Sequence, residues 1–447
     1  MNRDHAIVIG GSLGGLLAAR VLSDYFKRVT LIERDVFPEA GENRRGVPQG
    51  RHTHGLLASG RNVMEKLFPG LSEQLIAAGA LEGDIAGTSR WFTEGGCLAR
   101  QASELIGLLV TRPLLEGTIR NRARSLSNLE VIEDATVDGL LTDADRKCVT
   151  GLRYTRGGAS LELSANLVVD ATGRGSKGGE WLAGLGYDAP VTEKVEVALG
   201  YTTRFFRRDP QQLNGDVVAI IPPTPTGKRG GVMLAQEGNR WTVTLISHFG
   251  ATAPADVDGF REFAKTLPAP YIHEVVSEAE PLGEPMTSRF PASVRRHYEK
   301  LSRFPEGYLV FGDAICSFNP IYGQGMSVAA LESEVLNESL AAGDGQLAAR
   351  FFRRASKVID IPWSIAVGND LRMPETSGKR GAGLKFINWY ISKLHKAAHH
   401  DPVLALAFLR VANLVTPPPS LMRPSIAWRV FRGGRRSSQA EPAAAAA

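Results

Sequence analysis

The chain holds 447 residues, enough for about three units at ~150 residues per domain, and its 43% hydrophobic and 22% charged content excludes a disordered or fibrous protein. Its three cysteines, Cys97, Cys148 and Cys316, are odd in number and far apart, which excludes a disulfide framework and a cysteine metal knuckle; no metal site is expected, and a reducing, cytoplasmic setting is. The formal charge of +5 is uneven: from Ile391 onward there are eight Lys/Arg and two acidic residues, whereas the first 390 residues carry 44 basic and 45 acidic ones, so the body lacks the basic stripe of a nucleic-acid binder.

In chain order, Ala6-Ile7-Val8-Ile9 reads as a strand, Gly10 to Gly15 as a glycine turn, Leu16 to Leu22 as an apolar-periodic helix and Val29 to Glu33 as a second strand. A Gly/Pro/Arg-rich loop spans Glu42 to Gly55. Hairpin strands near 88–108, a helix from Pro113 to about Arg124 and a strand Leu167-Val168-Val169-Asp170 follow. From about Tyr187 the pattern changes to period 2, as in an antiparallel sheet, with a turn at Glu237-Gly238-Asn239. The α/β pattern resumes at Tyr308-Leu309-Val310-Phe311 and a long helix from about Gly325. The reading is therefore an α/β chain: a discontinuous Rossmann-like domain (1–186 and 296–345), an antiparallel-sheet substrate domain (187–295) entered by the 88–108 hairpin, a helical C-terminal region (346–432) and a disordered end (433–447).

The run Gly10-Gly11-Ser12-Leu13-Gly14-Gly15 stands where a dinucleotide fingerprint belongs, after a strand and opening a helix whose N-terminal amides can hold a pyrophosphate. Ser12 replaces the middle glycine and has a hydroxyl able to donate to a phosphate. Taken alone, the loop also fits a turn serving helix–strand packing. Glu33, followed by Arg34, ends the second strand 23 residues after Gly10, where an acid bonds the ribose hydroxyls of an adenosine and repels a 2′-phosphate. Further on, Phe311-Gly312-Asp313-Ala314 precedes Asn319-Pro320-Ile321-Tyr322-Gly323-Gln324-Gly325-Met326. An acid at a strand end before a glycine-rich helix start suits a dinucleotide extending past its pyrophosphate: Asp313 toward the ribityl hydroxyls of FAD, and amides near Gly325 and Met326 toward the flavin, with Pro320 and Gly323 in the same loop.

On these motifs the sequence resembles the FAD-dependent monooxygenases of the aromatic-hydroxylase and squalene-epoxidase superfamily. The runs Arg45 to Gly55 and Asn319 to Met326 look most like the bacterial polyene epoxidases of polyether biosynthesis. The resemblance implies that Arg45 and Arg112 contact FAD phosphates or the ribityl chain, and that Val47, Pro48 and Gln49, with Arg51 and His52, lie along the flavin. It implies insertion of one oxygen atom from O2 through a flavin C4a-hydroperoxide, epoxidising an alkene or polyene or hydroxylating a hydrophobic natural-product intermediate. Electrons would come from NAD(P)H directly or through a flavin reductase. The family's Asp-Gly motif is altered here to Asp170-Ala171-Thr172-Gly173. Two alternatives stay open: an FAD-dependent reductase of isoprenoid double bonds, and a non-catalytic flavin-binding protein docking through its basic tail.

In the middle domain, Tyr201, Phe205, Met233 and Trp241 are candidates for a substrate pocket, with core packing as the plain alternative. His52 and His54 alternate without a third metal ligand, and are read as part of a loop against the flavin, with a solvent-facing His54 as the plain alternative. Near the C-terminus, Pro402 to Val415 and the mixed aromatic and basic segment Leu421 to Arg432 could rest on the periphery of an anionic membrane, or equally pack on the catalytic domain with arginines outward.

Overall fold

The computed structural model describes residues 3–250 and 252–437. Its first strand, His5–Ile9, is buried at every position, and the unbroken run of apolar residues after His5 reflects a strand covered on both faces. It is the centre of a five-stranded parallel sheet ordered Tyr308–Val310, Leu167–Asp170, His5–Ile9, Arg28–Ile32, Leu129–Ile132. Helix Leu13–Ser23 packs on this sheet and against helix Gly325–Ala341. Because Tyr308–Val310 joins the sheet only after the chain has built the middle region, the Rossmann-like unit is discontinuous.

A second, eight-stranded sheet runs Cys316–Ser317, Pro281–Arg296, Thr192–Arg207, Arg240–His248, Arg229–Gln236, Val218–Ile221, Ser89–Thr93, Gly96–Cys97, antiparallel except where Val218–Ile221 meets Ser89–Thr93. The 88–108 segment is thus divided: Ser89–Thr93 and Gly96–Cys97 edge this sheet, while Ile106–Leu109 pairs with Leu81–Asp84 in a separate ladder. Helices Val257–Lys265 and Tyr271–Glu278 cover its outer face, so Met233, Trp241, Val243 and Leu245 join Phe260 and Ile272 in a closed core. Strand alternation sends Val232, Leu234, Thr244 and Ile246 to the other face, toward the cavity.

Four C-terminal helices, Leu347–Asp370, Leu384–Ala398, Pro402–Ala412 and Pro424–Ser437, close the remaining side. Helix Pro402–Ala412 inserts Leu404, Leu409 and Val411 into a core shared with Tyr390, Leu394 and Val430, the packed alternative of the sequence reading for this stretch. The last helix passes Arg432, where the sequence reading ends the ordered chain, and continues to Ser437; the rest of the expected disordered end lies outside the described residues. Among the described residues no helix is long and apolar enough to cross a membrane.

Candidate functional site

One cavity of about 1200 Å³ runs from the glycine turn, across the inner face of the eight-stranded sheet, to the C-terminal helices. It exceeds the ~300–1,000 Å³ of ordinary ligand pockets, so a dinucleotide and a second molecule fit in one continuous space.

Gly10, Ser12, Leu13, Gly14, Glu33, Arg34, Arg112, Asp313, Pro320, Gly323, Gly325 and Met326 all line it. Gly10 sits at φ +98, and a Cβ there would meet the Ala171 carbonyl oxygen at 2.7 Å. Gly15 does not line the cavity; it lets the helix close on the turn, since a Cβ would fall 1.7 Å from the Gly10 oxygen. Ser12 does not offer its hydroxyl to the cavity as expected: it donates to Glu116 at 3.0 Å and accepts from Arg112 Nη2 at 2.9 Å. It makes no side-chain cap, leaving the first amides of helix Leu13–Ser23 unpaired within the helix at the cavity wall.

Glu33 is buried at the end of its strand, accepting from the Gly11 amide at 2.7 Å and the Asp35 amide at 3.1 Å, with Arg44 Nη1 3.1 Å away. The resemblance implies Arg45, with Arg112, as a contact of the FAD phosphates or ribityl chain. The structure puts Arg45 on the exposed side of the loop and turns its neighbour Arg44 inward, where it meets Glu33, Asp35 and Glu116. Glu116, also missed, joins Arg44 Nε at 2.9 Å, Arg112 Nε at 2.9 Å and Ser12. Burial opposes its charge, but the two guanidiniums outweigh burial and hold its carboxyl below the usual range. The signal in the sequence was the helical spacing of Arg112 and Glu116; for Arg44 there was none.

Along the 44–55 loop, Pro48, Gln49, His52 and His54 line the cavity, whereas Val47 is buried beneath it and Arg51 points outward. His54 thus faces the cavity rather than solvent, the alternative that the sequence left for it. His52 Nδ1 lies 2.8 Å from the Thr203 hydroxyl, which lies 2.6 Å from Thr244, which lies 2.5 Å from Thr53, a chain of groups able to hand a proton along. The His52 ring stands edge-on to Tyr201 at 4.6 Å. Desolvation pushes both His52 and His54 down to about 4, so both are neutral at pH 7.

Of the four substrate-pocket candidates, Tyr201 lines the cavity. Met233 and Trp241 are fully buried on the face of the sheet opposite the cavity-facing Val232, Leu234, Thr244 and Ile246. Phe205 follows a bulge and lies outside the cavity under Arg240, whose guanidinium is 4.9 Å from the ring. The walls at this end are instead Trp91, Val218, Ile220, Val232, Leu234, Ile246, Ile391 and Phe408, contributed by distant segments. Asp370 joins the two ends: its Oδ1 accepts from Tyr322 Oη at 2.8 Å and Asn319 Nδ2 at 2.9 Å, and burial raises it to about 6.

Residues 4–345 match the family described as FAD binding domain. The chain belongs to that family. This FAD-binding-domain protein is 35% identical over 442 residues to Protein Rv3254 of Mycobacterium tuberculosis, covering 92% of this chain and 90% of the relative. Its fold is shared with the flavin-dependent brominase Bmp2 (TM-score 0.65, 14% identity, 97% of this chain and 99% of that one). It is shared also with PqsL, a probable FAD-dependent monooxygenase of Pseudomonas aeruginosa (0.62, 16%, 83% and 98%), and with p-nitrophenol 4-monooxygenase PnpA of Pseudomonas putida (0.64, 14%, 92% and 99%).

The residues present fit FAD. The glycine turn and helix start provide amides for a pyrophosphate, Glu33 stands at the strand end where a ribose hydroxyl can donate, and Asp313 faces the same cavity from the other strand. Behind Asp313, the Gly312 amide donates to buried Glu332 at 2.8 Å. Burial raises that carboxyl to about 8, the Gly312 bond opposing and Asp313 adding to the rise, so Glu332 is neutral at pH 7 and adds no charge behind the FAD site. Asp170, at the altered Asp-Gly motif, is fully buried outside the cavity lining, its oxygens accepting from Thr172 N at 2.9 Å and from Ser176 Oγ at 2.6 Å.

Proposed function

We propose that this protein is an FAD-dependent monooxygenase that places one atom of O2 on a hydrophobic substrate, epoxidising an alkene or polyene or hydroxylating a natural-product intermediate. The observation that carries this reading is the continuity of the cavity: polar and charged at the FAD end, it becomes apolar between Trp91, Val232, Ile246 and Phe408 within one continuous space. Bound FAD supplies the redox chemistry and the activation of dioxygen. The chain's own part is to bind, orient and exclude water. Arg44, Arg112 and the helix start at Leu13 would hold the phosphates; Asp313 would accept from the ribityl hydroxyls; the start of helix Gly325–Ala341 would favour negative charge on the reduced ring. Neutral His52, linked to Thr203, Thr244 and Thr53, can hold or pass a proton at Nδ1 beside the substrate space. Trp91, Leu234, Ile246 and Phe408 would enclose the substrate.

The inward turn of Asp170 supports electron supply by a separate flavin reductase, with NAD(P)H alone reducing the bound flavin slowly. Anaerobic mixing with NADH or NADPH, followed by flavin absorbance, tests this; fast bleaching at modest nucleotide concentration overturns it. The oxygenation reading requires one heavy oxygen atom per product molecule when isotopically heavy dioxygen is supplied. A product heavier only by hydrogen would make the protein a reductase of double bonds, and no turnover with any candidate would leave a binding protein.

A further inference from the structure

Helix Leu384–Ala398 has three working faces. Leu384, Ile387, Ile391 and His395 line the cavity, while Tyr390, Leu394 and Ala398 are buried against the neighbouring helices. The third face carries Phe386 and Trp389, 52% and 46% exposed, and Lys393, whose Nζ stands 5.9 Å from the Trp389 ring. The final helix, packed beside it, adds Trp428 and Phe431, 58% and 50% exposed. Phe386, Trp389 and Phe431 form a continuous row, with ring centroids 5.7 and 6.2 Å apart, and Arg432 lies 4.9 Å over Trp428. An exposed row of large aromatics is costly in water and marks a surface that meets something apolar.

The charge around it narrows the occupant. From residue 376 through 433 there are nine Lys/Arg and one acid, Asp401, which is itself paired with Arg429 at 2.8 Å. A second copy docking through the same face would set like charges against like. Amphipathic rings interleaved with basic residues match instead the headgroup layer of an anionic bilayer, where rings sit at the interface and lysines and arginines reach lipid phosphates. Ile387 adds continuity: it is 53% exposed beside this row and also lines the cavity.

We propose that the face formed by Phe386, Trp389, Trp428 and Phe431, with Lys385, Lys393 and Arg432, docks on an anionic membrane surface, so that a lipophilic substrate reaches the cavity past Ile387 from the lipid phase. Docking stands by itself; the route of the substrate rests on the oxygenation reading. The test is flotation of the full, FAD-loaded chain with phosphatidylcholine vesicles with and without phosphatidylglycerol. Binding is expected only with phosphatidylglycerol and is expected to weaken with salt. Each basic residue reversed, as in Lys385→Glu, Lys393→Glu and Arg432→Glu, should weaken partitioning by roughly fivefold or more. Brominated acyl chains should quench tryptophan fluorescence, and Trp389→Ser with Trp428→Ser should remove that quenching and most of the binding while FAD content and the unfolding midpoint hold. No binding to phosphatidylglycerol vesicles at low salt, or binding indifferent to both sets of variants, overturns the proposal. So does an aromatic-dependent dimer, or an aromatic-dependent complex with an acidic protein, in place of vesicle binding. Because flotation reads no turnover, a protein that floats but does not oxygenate removes the reading of function and leaves the docking.

Discussion

At the glycine-turn end of the cavity the wall comes from short segments at strand ends, and its charges are tied into one buried network: Glu33, Arg44, Asp35, Glu116, Arg112 and Ser12. At the other end the wall is mostly apolar and is assembled from an edge strand, the inner face of the eight-stranded sheet and the C-terminal helices. The first arrangement is fixed by hydrogen-bond geometry and tolerates little change; the second is fixed by shape. A dinucleotide offers the same phosphates and hydroxyls wherever it binds, whereas the substrate end needs only a dry surface of the right form.

The most damaging change belongs to the first end. Gly15→Ala would place a methyl group on the Gly10 carbonyl and should cost more than about 4 kcal/mol, giving a protein that neither retains FAD nor unfolds cooperatively. Next, Glu116→Ala leaves Arg44 and Arg112 without their shared carboxylate in a buried site. A loss of about 3–5 kcal/mol in denaturant unfolding is expected, with weaker FAD binding by titration; a surface-like loss below about 1 kcal/mol would show that the network is not structural.

The two faces of one strand carry the comparison into the substrate end. Met233→Ala empties closed core and should cost about 2–5 kcal/mol with KM unchanged, while Leu234→Ala, facing the cavity, should cost less stability and change KM. Equal KM effects from the two would mean that the substrate lies elsewhere.

The smallest expected effect is a pH dependence. Glu332 is raised to about 8 in the folded state, so above its unfolded value the unfolded chain loses the proton first, and stability declines as pH rises from about 4.5 toward 8. Glu332→Gln, keeping an acceptor for the Gly312 amide, should flatten that decline by on the order of 1–3 kcal/mol in unfolding measured at pH 5 and pH 8. The acid side has the opposite origin: His52, His54 and His395, each lowered to about 4 by burial, withdraw stability as pH falls below about 6.5, and the Glu332 variant should leave that limb unchanged.

The sequence by itself determined the α/β class, the split Rossmann-like unit and much of the FAD end, because those features depend on residues a few positions apart: strand into glycine turn, acid at a strand end, proline-glycine loop into helix. Gly10, Glu33 and Asp313 can be read without knowing what they touch. Tertiary structure alone decided which of two adjacent arginines turns inward, since Arg44 rather than Arg45 is selected by carboxylates as distant in sequence as Glu116. It also decided the apolar wall of the cavity. A period of two says that Val232 and Met233 face opposite ways but not which face is roofed by helices Val257–Lys265 and Tyr271–Glu278, and that choice sent Met233 and Trp241 into closed core and Val232 and Leu234 to the cavity. Likewise the C-terminal helices show their apolar residues in sequence, but only packing separates Ile391, which faces the cavity, from Leu394, which is buried, and from Trp389, which is left outside, because one helix here serves three neighbours at once.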